Sequence, residues 1–145
     1  MAAVIVLAGS SCGRAGVHGP ERLITPPRSG VSTIIADLGQ ATAMEGEVDY
    51  LRVSRSDGHV VALLVVHTSV TIPIANGHYR VSRWERDCPS QGCRRDIDAV
   101  APRTYFCSVE LDVAARTNVA VMLTGSPQCT GKINGSPVGS SAAAI

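Results

Sequence analysis

At 145 residues the chain has room for one domain with irregular ends. Its net charge of +1 supplies no broad basic field, which argues against nucleic acid as a partner. All but one of its thirteen basic side chains are arginine, Lys132 being the exception, a skew that reports coding composition more than binding chemistry. Hydrophobic residues make up 45% and aromatics only 3%. The core must therefore be built from Val, Ile, Leu and Ala, and the branched residues among them favour strands.

The chain opens with "MAAVIVLAGSSCG". Its apolar run, residues 2–8, is too short to span a bilayer but fits the apolar region of an export signal. Small residues then lead to Cys12, the arrangement a lipoprotein signal needs: little bulk beside the cut, and a thiol to take the diacylglyceryl group. Gly9 stands where such signals usually carry Leu, and no basic residue precedes the apolar run. The alternative is a first β-strand at residues 1–8 with Cys12 as an ordinary buried thiol. Residues 1–12 are read as the signal segment, lipidated at Cys12. Residues 13–31, with several Gly and Pro and little periodicity, are read as a flexible tether.

Past the tether the pattern is of strands. "STIIADL" (32–38) is a short branched run. Val48 to Val53 and Val60 to Val66 flank Asp57-Gly58, which predicts a hairpin. Asn76-Gly77 precedes an alternating run with Tyr79 and Val81 on one face and Arg80 and Ser82 on the other. Tyr105, Cys107, Val109, Leu111 and Val113 alternate with Phe106, Ser108, Glu110 and Asp112, the best amphipathic strand in the chain. "VAVMLTG" (119–125) is expected to close a second hairpin with it across the polar "AARTN". Residues 131–145 read as a low-complexity, disordered tail. The expected architecture is all-β: a single antiparallel β-sandwich of about seven strands over residues 32–130, stapled by disulfides.

Five cysteines are an odd number, and an exported chain needs a reason for the unpaired one. With Cys12 lipidated, Cys88, Cys93, Cys107 and Cys129 remain, and four allow three pairings. Pro89 and Gly92 let the chain double back between Cys88 and Cys93. Cys107 lies on the inward face of its strand, and Cys129 follows the next one. The favoured pairs are 88–93 and 107–129. Zinc fits poorly, because four-cysteine sites usually come as two C-x2-C knuckles. No Cys-x-x-Cys stands beside a βαβ pattern, so a redox site fits no better.

The segments "VTIPIANGHYRVSRWERDCPSQGC" and "CSVELDVAARTNVAVMLTGSPQC" together resemble a group of small exported bacterial domains, similar to the prealbumin-like and Cna-B-like β-sandwiches. Pro73, Gly77, Tyr79, Trp84, Arg86, Cys88, Cys93, Cys107 and Cys129 carry the resemblance, which covers about residues 45 to 130. It implies a sandwich fold and says little about activity, since such domains serve as stalks, adhesin modules and accessory lipoproteins.

Catalytic signatures are nearly missing. Histidines stand at 18, 59, 67 and 78, with no H-E-x-x-H and no G-x-S-x-G. His67 and His78 are placed to meet across a hairpin near Asp57, although surface histidines without a role are far commoner. Arg86, Asp87, Arg94, Arg95, Asp96 and Asp98 crowd the loop 86–104 that carries Cys88 and Cys93, a candidate binding loop whose bland reading is mutual salt bridging. Asn134-Gly135-Ser136 matches a glycosylation acceptor by spacing alone. No metal site, cofactor or catalytic residue is expected. The sequence points to a non-enzymatic, extracytoplasmic lipoprotein module, held at the outer face of the cell membrane through Cys12 and contacting an unknown protein or cell-wall partner. The alternative is a soluble secreted binding or inhibitor domain without a lipid.

Overall fold

The computed structural model describes residues 21–24, 31–39, 47–87, 103–124, 129–139 and 141–142, and the expected signal segment, Cys88 and Cys93 lie outside them. The described residues contain strands and no helix. Sheet I is built from β1 (Glu21–Ile24), β3 (Glu47–Arg55), β4 (Val60–Val65), β6 (Gly77–Asp87), β7 (Arg103–Val113) and β11 (Ser141–Ala142). Sheet II is built from β2 (Ser32–Asp37), β5 (Ser69–Ile74), β8 (Asn118–Thr124), β9 (Thr130–Ile133) and β10 (Ser136–Val138). Sheet I runs β1-β4-β3-β6-β7-β11 and sheet II runs β10-β9-β8-β2-β5. Every pairing is antiparallel except β2 with β8, where Ile34 faces Val119 and Ala36 faces Val121 in parallel register.

The β3–β4 hairpin forms where Asp57-Gly58 places it. Gly58 adopts φ 85°, a left-handed conformation that costs glycine little. Its N–H donates to the Arg55 carbonyl (2.9 Å), and Arg55 N–H donates to the His59 carbonyl (2.9 Å). Asp57 Oδ1 accepts from His59 N–H at 2.9 Å and locks the turn.

Three expectations need correction. The strands number eleven among the described residues, not about seven. Four strands fall in segments read as unstructured: β1 lies within the tether and pairs with β4, β9 (from its second residue) and β10 pair in the tail, and β11 pairs with β7. The tail hairpin turns on Asn134 and Gly135, both at positive φ (48° and 82°), as a two-residue loop of this kind requires. Asn134 also ties the hairpin to β8, where Ala120 N–H donates to its Oδ1 (2.9 Å) and Asn134 N–H donates to the Ala120 carbonyl (2.8 Å).

The third correction concerns β7 and β8, which do not form a hairpin. At Ala114–Thr117 the chain leaves sheet I for sheet II, and β8 takes β2 and β9 as neighbours. Ser32 holds the crossing: its Oγ donates to the Ala114 carbonyl (2.9 Å) and accepts from Thr117 N–H (3.3 Å). Arg116 takes the positive φ of 58° that this corner demands.

One hydrophobic cluster draws on both sheets. Leu51, Val53, Leu64, Val81, Val109 and Leu111 of sheet I pack with Ile34, Ile72, Val121 and Leu123 of sheet II. The branched, ring-poor composition is what fills it. Cys107 is fully buried in this cluster and forms a disulfide with Cys129, which immediately precedes β9. The expected 107–129 pair is therefore present, with a Cα–Cα distance of 5.3 Å. It joins sheet I to sheet II rather than two strands of one sheet.

A 22-residue separation between the cysteines gives a loop-closure contribution of roughly 3 kcal/mol. Replacing both with alanine should lower unfolding free energy by about that amount in urea titrations under oxidising conditions. An unchanged midpoint would show that the bond adds nothing to the link between the sheets.

Candidate functional site

Period-two alternation gives sheet I an outward face as well as a core face. At one end that outward face is apolar and buried. Tyr50 and Trp84, directly opposite each other on β3 and β6, stack with centroids 5.5 Å apart and planes 11° from parallel. Val48, Leu63 and Val65 complete this second cluster. The Arg52 guanidinium carbon lies 5.5 Å from the Trp84 ring centre, and that of Arg86 lies 5.8 Å from the centre of Tyr50. The result is a four-layer ladder, Arg52–Trp84–Tyr50–Arg86, in which each cation sits over a ring's negative face.

Arg86 was expected in an exposed binding loop, and the structure corrects this. It lies within β6 and is 2% exposed, with its guanidinium over the Tyr50 ring. Asp87 ends β6. Cys12, Arg94, Arg95, Asp96 and Asp98 lie outside the described residues.

Toward the other end the same face becomes polar and open. His78 faces Asp112, and Arg80 faces Glu110, as cross-strand partners of β6 and β7. His78 Nδ1 lies 2.8 Å from Asp112 Oδ1, and its Nε2 lies 3.7 Å from Glu110 Oε2. Arg80 donates from Nε to Glu110 Oε1 at 3.1 Å and from Nη2 to the same oxygen. Against these groups stands the β3–β4 turn, and between them is a cleft of about 290 Å3. Ser54, Arg55, Ser56 and Gly58 form its turn side, and His78, Arg80 and Glu110 its strand side.

The electrostatics are mutual. The hydrogen bond to Asp112 holds the His78 pKa above the ordinary histidine value of 6.5, with the charges of Asp112 and Glu110 adding to it. Arg80's hydrogen bonds and charge hold Glu110 below the usual glutamate range. Both histidine nitrogens are directed at carboxylates, so neither is placed to take a proton from Ser54 or Ser56. A serine nucleophile activated by His78 does not fit this arrangement. Among the described residues no group of three or more His, Cys, Asp or Glu is arranged to hold a metal ion.

His67 and His78 do not come together. Tyr79 is paired with Arg55 at one end of β3, whereas His67 follows Val66, whose N–H donates to the Asp49 carbonyl (3.0 Å) near the other end. Asp57 serves its own turn and lies 4.0 Å from Arg55 Nε.

A second charged group is buried in the interior. Arg83, paired with Leu51 and Cys107, donates from Nε to Asp49 Oδ1 (3.0 Å) and from Nη2 to Glu85 Oε1 (2.9 Å). Its Nη1 donates to the carbonyls of Leu38 and Leu123, both at 3.1 Å. Burial pushes the Asp49 carboxyl up, and Arg83 only partly offsets this. This group is internal and structural in character. No family model, curated protein or solved structure matches the chain.

Because His78 carries a raised pKa, its contribution to stability is fully present below pH 6.5 and is lost as pH rises through the folded value. In an NMR pH titration the His78 imidazole should titrate above 6.5 and return toward it in Asp112→Asn. An identical titration in the two proteins would contradict the assignment of Asp112 as its principal partner.

Proposed function

We propose that this chain is an exported, non-enzymatic binding module: a disulfide-tied β-sandwich of prealbumin-like character, carried on the outer face of a membrane by a lipidated Cys12. The observation that carries the export reading is the Cys107–Cys129 bond, with Cys107 fully buried in the shared core. Structural disulfides form and persist in oxidising compartments and are rare where thiols are kept reduced. A buried one joining two sheets belongs to that structural kind. The apolar run at residues 2–8, followed by small residues and Cys12, supplies a route to such a compartment.

The sandwich reading is supported by the single cluster to which both sheets contribute. A binding rather than catalytic role is supported by the cleft chemistry: its imidazole is engaged by two carboxylates, and its cations are matched by acids. Stable attachment needs more than one acyl chain, which a diacylglyceryl cysteine provides.

Metabolic labelling with a clickable fatty acid, followed by intact mass, tests this reading. The protein should carry label that disappears in Cys12→Ala, and should gain mass on reduction and alkylation of the 107–129 pair. Label that persists in Cys12→Ala would overturn the anchor. Recovery from the culture medium with an unmodified mass would favour the soluble secreted form.

A further inference from the structure

We propose that the cleft between the β3–β4 turn and the outward face of β6–β7 is a sugar-binding subsite that takes one ring of a polyhydroxylated ligand. The inference rests on the cleft alone and does not depend on the lipid anchor or on export.

Size sets the first limit. About 290 Å3 lies just below the usual range of ligand pockets, roughly 300 to 1,000 Å3. That is room for one sugar ring rather than a peptide segment.

Charge sets the second. Arg55 and Arg80 are matched against Asp57, Glu110 and Asp112, with His78 between two of the acids. The two cations and three anions nearly cancel, and protonation of His78 completes the cancellation. A balanced cluster does not concentrate oxyanions, and its guanidiniums repel a metal cation. It is instead dense in directional donors and acceptors. Arg55, Arg80 and the hydroxyls of Ser54 and Ser56 donate, while Glu110 and the same hydroxyls accept. Each hydroxyl of a sugar is both donor and acceptor, so neighbouring hydroxyls can bridge a guanidinium and a carboxylate that are already held side by side.

Preorganisation is the third point. Glu110 fixes Arg80 through its Nε and Nη2, and the described bonds leave Nη1 available. The turn that carries Ser56 is closed by two backbone bonds and the Asp57–His59 bond. Little ordering is then required on binding. With no Trp, Tyr or Phe in the lining, affinity should fall in about the millimolar range, since a broad stacking platform is missing.

The test is an NMR titration of the isotope-labelled chain with D-glucose, D-mannose and N-acetyl-D-glucosamine, with sodium phosphate and sodium acetate as parallel arms at matched ionic strength. At least one sugar should give saturable amide shifts confined to residues 54–58, 78–80 and 110. Arg80→Gln should weaken that binding about tenfold or more while its spectrum stays dispersed. Ser56→Ala, on the exposed turn, gives a second reading should Arg80→Gln fail to fold. Absence of saturation by any sugar at tens of millimolar, or unchanged binding in the folded variants, would overturn the proposal. Saturation of the same amides by phosphate or acetate alone would overturn it too, and would make the cleft an oxyanion site.

Discussion

Arg83 places a guanidinium where a charge is expensive, and the junction of the two sheets is organised around it. Its side chain is 5% exposed, so almost all of its hydration is gone and every N–H must find a protein acceptor. Asp49 and Glu85 supply carboxylates from sheet I. The carbonyls of Leu38 and Leu123 supply the rest from the other side of the core. Those two bonds couple the sheets by directional contacts, which hydrophobic packing alone cannot do. Cys107, its cross-strand neighbour, couples the same sheets covalently through Cys129. A charged clasp and a staple therefore stand side by side at one level of the core.

That arrangement has consequences for the outward face of sheet I. With β6 fixed from inside by Tyr79, Val81 and Arg83, its alternate residues His78, Arg80, Ser82, Trp84 and Arg86 are committed to the outside. The face then grades along its length. Trp84 and Arg86 enter the buried aromatic ladder, whereas Arg80 and His78 enter the charged cleft. The raised pKa of Asp49 shows that the clasp is no simple gain. Its burial disfavours the carboxylate, so this group favours folding most at low pH and loses that advantage as pH rises through its folded value. Such a pair becomes costly chiefly when one partner is removed.

How much of this was legible in the sequence follows from what each feature depends on. The Asp57-Gly58 hairpin and the alternation of Cys107, Val109, Leu111 and Val113 are local, and they stand as the pattern implies. "INGSPV" carried an equally local Asn-Gly hairpin signal at residues 133–138, obscured by the low complexity around it. The crossing at Ala114–Thr117 was not legible, because a polar turn between two strands reads the same whether the second returns to its own sheet or joins another. Ser32, some eighty residues away, helps make that choice. Arg83 left a trace: it follows Tyr79 and Val81 at period two and so falls on the core face. Its acceptors on Leu38 and Leu123 are backbone atoms, which sequence pattern does not reveal. The cleft likewise needed the register that brings His78 to Asp112 and Arg80 to Glu110.

The most direct test of this account is the urea unfolding of Arg83→Met with the disulfide intact. Methionine keeps much of the stem's volume but leaves Asp49 and two carbonyls without their donor. The account predicts a loss of about 3–5 kcal/mol, the usual cost of stranding a buried charge partner. A loss below about 1 kcal/mol would contradict it, and would mean that packing and the disulfide hold the two sheets together without the clasp.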